Sequence, residues 1–189
     1  MKENLIKLVE LAKNGDKASF DEVIRLCVPD LYRIAMSILK NKDDADDAVC
    51  ETVLKAFENI RNLNNCDFFK TWITRILINQ AKAAYKKRSK VVYLDDVTYE
   101  FQHEDSYDLG NDELNKAVAN LSQKFRIVIT LYYFQDMHIK EIANVLQIPQ
   151  GTVKWRLSRA KSILKENLSE SKQSKVLPQR CKEGLDSDK

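Results

Sequence analysis

Residues 137–165 read MHIKEIANVLQIPQGTVKWRLSRAKSILK, and this stretch decides the fold. Ile139, Ile142, Ala143 and Leu146 recur at i, i+3, i+4 and i+7, the spacing of a short amphipathic helix. Gln147-Ile148-Pro149-Gln150-Gly151 follows as a tight connection, since Pro149 forbids a continuous helix through it. Val153, Leu157, Ala160 and Leu164 then form the buried stripe of a second helix. Two short helices joined by a small turn, the second heavily basic, make a helix-turn-helix, whose second helix puts its N-terminal residues into the major groove of DNA. The residues left facing outward are Gln150, Thr152, Lys154, Trp155, Arg156, Ser158, Arg159 and Lys161. Arg and Lys read guanine edges, Gln reads adenine and Thr touches a thymine methyl, while the remaining cations sit on phosphates. A solvated basic helix face would carry the same cations. The absence of any acid from Gln150 to Lys165, behind a matching first helix and turn, favours DNA binding.

Upstream of this motif, Ser122 is expected to cap an apolar helix containing Phe125, Ile127, Val128, Leu131 and Tyr132, and a shorter helical signal covers 113–121. Between 91 and 112 the periodicity vanishes. From Ser89 to Glu113 the chain has one basic residue against eight acids, punctuated by Tyr93, Tyr99, Phe101 and Tyr107, and reads as an acidic flexible linker. Such a segment is either a plain solvated spacer or an acidic strand that threads a positively charged channel. Residues 169–189 are rich in Ser, Lys and Gln and are expected to form a disordered tail.

The N-terminal half has only helical periodicity. Leu5, Leu8, Val9 and Ala12 make a first stripe, broken at Asn14-Gly15-Asp16. Phe20, Val23, Ile24 and Cys27 make a second that Pro29 is expected to end, and Leu31, Ile34, Ala35 and Ile38 continue beyond it. A long helix is expected from about Asp43 to Ile60, with Ala45, Ala48, Val49, Val53, Ala56, Phe57 and Ile60 on one face and Asp43, Asp44, Asp47, Glu51 and Glu58 on the other. The polar loop Arg61–Asp67 leads into a helix from about Phe68 to Arg88, whose buried stripe is Phe69, Trp72, Ile73, Ile76 and Leu77. Arg75, Asn79, Lys82 and Lys86 fall at i, i+4, i+7 and i+11, a separate polar stripe. Beside the loop residues Asn64 and Asn65, it offers a cationic track and amide groups for an unstacked base.

Composition narrows the function classes. Four Gly and three Pro in 189 residues disfavour a β-rich fold. No apolar run approaches the roughly 20 residues needed to span a bilayer, and Met1-Lys2-Glu3 opens a charged, periodic start unlike a signal peptide, so the chain is expected in the cytoplasm. The cysteines Cys27, Cys50, Cys66 and Cys181 form no CxxC pair and lie far from His103 and His138, so no metal and no cofactor are expected; Cys27 and Cys50 read as free thiols on apolar faces. No paired His and acid, metal cluster or phosphate-cradling Gly loop marks an enzyme or a small-molecule substrate. The fold expected is all-α: two small helical domains, 1–90 and 113–168, joined by the acidic flexible linker 91–112.

At this point a family becomes recognisable. Ile139–Leu146 with Gly151–Lys161 resembles the C-terminal DNA-binding domain of bacterial sigma-70-family factors, and in particular of the small extracytoplasmic-function (ECF) subfamily. Ala45–Phe57 is similar to that subfamily's polymerase-binding helix, and Phe69–Asn79 to its promoter-melting helix. The resemblance implies an RNA polymerase sigma factor, with core RNA polymerase and promoter DNA as partners. It further implies polymerase contacts at Asp46, Asp47 and Glu51, minus-ten recognition and melting by residues 1–90, minus-thirty-five recognition by 113–168, a response to envelope or environmental stress, and inhibition by an anti-sigma factor, often membrane-anchored. Two positions depart from the family pattern. Cys50 stands where Gln is usual, and Trp155 stands where a small Ser is common, either adding an apolar contact in the groove or packing on a neighbouring helix. The alternative is a two-domain helix-turn-helix regulator with a helical dimerisation or signal-receiving N-terminal module.

Overall fold

The structure, a computed structural model, describes residues 2–92 and 113–174. Among these residues it contains eight α-helices and no strand: α1 (Lys2–Lys13), α2 (Lys17–Leu39), α3 (Lys42–Asn59), α4 (Phe69–Val92), α5 (Glu113–Asn120), α6 (Gln123–Ile129), α7 (Ile139–Leu146) and α8 (Gln150–Ser174). The acidic linker, apart from its first two residues, and the tail beyond Ser174 lie outside the described residues, as do Cys181 and His103.

α1–α4 pack on one another around a core that includes Val9, Phe20, Val23, Leu31, Ile34, Ala45, Phe69, Ile73, Leu77 and Ile78. Local signals set the helix starts. Asp16 caps α2 by accepting the Ser19 amide, and the Ser19 hydroxyl holds its carboxyl below the usual range. Asn41 caps α3 by accepting the Asp44 amide at 2.9 Å. Pro29 does not end the second helix: α2 runs unbroken through it. The proline removes one intrahelical donor, but the stripe continues on both sides, from Phe20, Val23 and Ile24 to Leu31, Ile34, Ala35 and Ile38, all buried. Burial of that long face offsets the local cost of about 3 kcal/mol.

α5, α6 and α7 pack against α8. The apolar helix expected after Ser122 changes character at Thr130, where Thr130–Phe134 form a π-helical turn closed by the Gln135 amide on the Thr130 carbonyl, 3.1 Å. α8 continues past Leu168 to Ser174, into the segment expected to be a disordered tail. The helical halves also touch each other, α2 against α6 and the π turn, and α4 against α7.

Candidate nucleic-acid and polymerase interfaces

The helix-turn-helix is built from α7 and α8. The Glu141 carboxylate accepts the His138 amide at 2.8 Å, fixing the start of α7. Gln147 ends it in the left-handed region (φ 57), and the Ile148 amide reaches back to the Ala143 carbonyl, 3.0 Å. Pro149 then starts α8, its carbonyl accepting the Thr152 and Val153 amides at 3.0 and 3.2 Å. Val153, Leu157, Ala160 and Leu164 are buried as expected.

Of the outward set, Gln150, Lys154, Trp155, Ser158, Arg159 and Lys161 are exposed, while Thr152 and Arg156 are half-buried. Trp155 packs on a neighbouring helix, its ring 5.9 Å from that of Phe125, while 58% of the residue is exposed. Lys161 sits at the edge of the face. Its ammonium lies 5.5 Å from the Tyr133 ring and 6.0 Å from the Tyr132 ring, and a hydrogen bond with Tyr133 pulls its pKa up.

On the N-terminal half, Arg75, Asn79, Lys82 and Lys86 are all exposed along α4. Asn64 and Asn65 are exposed between two 3-10 turns, Ile60–Asn62 and Cys66–Phe68, with Leu63 buried beneath them as an anchor. The Asn65 carbonyl accepts the Asp67 amide at 2.8 Å, so this side chain also shapes the loop. Trp72 is half-buried against the core, with its ring 5.8 Å from that of Phe69, a packing position.

Asp46, Asp47 and Glu51 are exposed on α3. Cys50 is exposed among them rather than set on an apolar face, because Ala45, Ala48, Val49 and Thr52 complete the buried side of this helix without it. Cys27 is half-buried, and burial pushes its thiol up to about 11. Phe57, expected on the apolar face, is 49% exposed, with one edge against Phe20 at 5.2 Å. Leu54, 59% exposed, was not singled out by the sequence; its signal was an apolar residue at i+7 from Asp47 and i+3 from Glu51. A further feature missed is a cleft of about 690 Å³ between α5, the π turn and α8, lined by Leu114, Val118, Ile129, Tyr133, Leu164 and Leu168, with Lys161 and Lys165 among its walls. The i, i+4 pairs Leu114/Val118 and Leu164/Leu168 were its trace in the sequence.

Among the described residues the chain is thus all-helical, with a helix-turn-helix of the kind that DNA-binding proteins carry. A model described as sigma-70 region 2 matches residues 23–91 and one described as sigma-70 region 4 matches residues 111–164. RNA polymerase sigma factor SigV of Bacillus subtilis (strain 168) is 34% identical over 141 residues, which cover 74% of this chain and 85% of that one. The chain belongs to the ECF subfamily of sigma-70 RNA polymerase sigma factors, the proteins that direct polymerase in transcription initiation. ECF RNA polymerase sigma factor SigW of the same organism is 28% identical over 179 residues, 86% of this chain and 95% of that one. The sigma factor RpoE from Bartonella quintana, solved with the anti-sigma factor NepR, matches with a TM-score of 0.66 at 28% identity, over 79% of this chain and 96% of that one. A helical N-terminal half that carries sigma region 2 displaces the reading of that half as a dimerisation or signal-receiving module.

Proposed function

We infer a division of labour among the three surfaces. The acidic face of α3, Asp46, Asp47 and Glu51, binds the polymerase core, and the exposed Leu54 adds an apolar contact in its midst. The stripe Arg75, Asn79, Lys82 and Lys86 with Asn64 and Asn65 captures the minus-ten element as single strand. The face Gln150, Thr152, Lys154, Trp155, Arg156, Ser158, Arg159 and Lys161 reads the minus-thirty-five element as duplex, with Lys161 at the phosphate edge. The helical unit within 1–90 carries the first two tasks and that within 113–168 the third. The observation that carries this reading is the exposure of every residue of the α4 stripe in the same chain as an acid-free recognition-helix face. This is a binding protein, with the bond-making chemistry left to polymerase, and it takes neither cofactor nor metal.

No helix among the described residues is long and apolar enough to cross a membrane. The factor works in the bacterial cytoplasm, where its promoter DNA is. The relative solved with the anti-sigma factor NepR supports control by an inhibitory protein partner, one that can tether the factor at the membrane until an envelope or environmental stress releases it. The test is run-off transcription with purified core polymerase and a candidate promoter. Specific transcripts with no other sigma factor present are expected; a requirement for a second sigma factor would overturn the reading.

A further inference from the structure

Trp155 is the bulkiest side chain on the outward face of α8, and 58% of it is exposed. Gly151, Thr152, Ser158 and Ser162 stand at i−4, i−3, i+3 and i+7 from it, so the indole rises above small neighbours along the helix, with Arg159 at i+4. A Cβ placed on Gly151 would meet nothing within 4 Å, which leaves that end of the face open. The indole is nevertheless held. Its ring lies 5.9 Å from that of Phe125 at an angle of 50°, and Phe125 is itself buried at the start of α6. The exposed Lys124 sets its ammonium 5.1 Å from the Phe125 ring. α6 packs directly on α8, so the brace and the indole share one core.

A braced indole suits a partner with an apolar group to offer. Having only two side-chain torsions, already limited by Phe125, it loses little freedom when it is covered. Apart from one N–H donor its surface is apolar and gains by leaving water. The edges of the bases in the major groove carry hydrogen-bond donors and acceptors, and one apolar group, the C5-methyl of thymine. The polar edges fall to the Gln, Lys and Arg side chains of the same face, which leaves the methyl as the match for Trp155. Thr152 also carries a methyl, but it is shorter and half-buried.

Resting on the reading of α8 as the recognition helix for the minus-thirty-five element, we propose that Trp155 is a specificity-determining residue that selects thymine through its C5-methyl group. Phe125 is the positioning residue that aims the indole, and Lys124 is a phosphate contact that brings α6 into the interface. Cytosine carries a hydrogen where thymine carries the methyl, so what Trp155 senses is one chemical group rather than a base pair.

The test uses the full chain assembled with bacterial core polymerase. Promoter fragments randomised across the minus-thirty-five element are selected by this holoenzyme. Each thymine of the preferred duplex is then replaced by uracil, which removes only the methyl and needs no change in the protein. At the thymine that Trp155 touches, the replacement should weaken binding about fourfold, the worth of one buried methyl group. Cytosine placed at that position should bind more tightly once methylated at C5. Trp155→Ser should bring the thymine and uracil duplexes to equal affinity at unchanged helicity by circular dichroism, and Phe125→Leu should lessen the difference between them. Lys124→Gln should keep the difference, weaken binding to every duplex and reduce the salt slope by about one. A preferred element without thymine, equal affinity for uracil at every thymine, or a methyl preference that survives Trp155→Ser would overturn the proposal and leave promoter recognition by α8 in place. A holoenzyme that selects no sequence would instead overturn the recognition-helix reading on which it rests.

Discussion

Arg156 and Arg159 occupy the flank of α8 opposite Lys154 and Lys161, so the two sides of the proposed recognition helix can be tested separately. If Arg159 reads a base edge, Arg159→Ala should weaken promoter binding by about 1–3 kcal/mol and relax preference at one base pair; a phosphate contact would instead lower affinity uniformly and reduce the salt slope by about one. Competition binding on single-substituted duplexes at two salt concentrations separates the outcomes, and the same assay applies to Arg156→Ala. The turn offers a stability test away from DNA. Gln147 holds a left-handed conformation (φ 57) that costs a residue bearing a Cβ about 1 kcal/mol. Gln147→Gly should therefore raise the thermal midpoint in calorimetry and leave duplex affinity unchanged. The sequence showed the tight connection through Pro149 but not this strain, which depends on the backbone angle the two packed helices impose.

At the scale of elements, α3 and the loop before α4 make the sharpest demands. Charge reversal at Asp47 and Glu51 should reduce affinity for core polymerase while duplex binding by the intact chain persists, and co-purification yield measures the loss. Replacing Asn64, Asn65 and Asn79 with Ala should spare closed complexes and impair melting, by about 1 kcal/mol for each lost hydrogen bond to an unpaired base. Permanganate reactivity of unpaired thymines reads that step, and a pre-melted bubble should restore transcription. Because the Asn65 carbonyl also holds the loop turn, Asn65→Asp is the cleaner single change: it keeps the acceptor for the Asp67 amide and removes the donor. Most helices were legible from their 3.6-residue stripes, and the break at Asn14-Gly15-Asp16 marked where one of them begins, whereas the Asn41 cap emerged only in the structure. The helix through Pro29 was not, because a local rule about one donor competes with burial along the whole of α2. Cys50 was misplaced for a related reason: periodicity names a face but not its width, and small residues closed the buried side of α3 without the thiol.

For the molecule as a whole, the covalent reach between the helical units limits how far apart two DNA elements read by one chain can lie. Residues 93–112 can extend to about 70 Å at most, which with the breadth of the two helical units covers the separation of the promoter elements. Deleting residues 97–106 leaves a reach of about 35 Å; it should abolish open complexes on a promoter carrying both elements, while free-chain helicity by circular dichroism stays unchanged. The contact between the halves had no signature in the sequence, because nothing in the spacing around Arg126 shows that the carbonyl ends of two helices meet its guanidinium. The π turn adds a consequence of its own. Its wider winding sets Tyr133 toward Lys161 and the next residue, Phe134, toward Arg33 of α2. Such a turn amounts to one residue inserted into an α-helix. Removing a single residue from 130–134 would restore regular winding, yet rotate everything downstream by about 100° relative to α6. Gene length in this stretch is therefore fixed to the codon: point changes can be absorbed there, whereas a one-codon deletion would aim the helix-turn-helix of α7 and α8 in another direction.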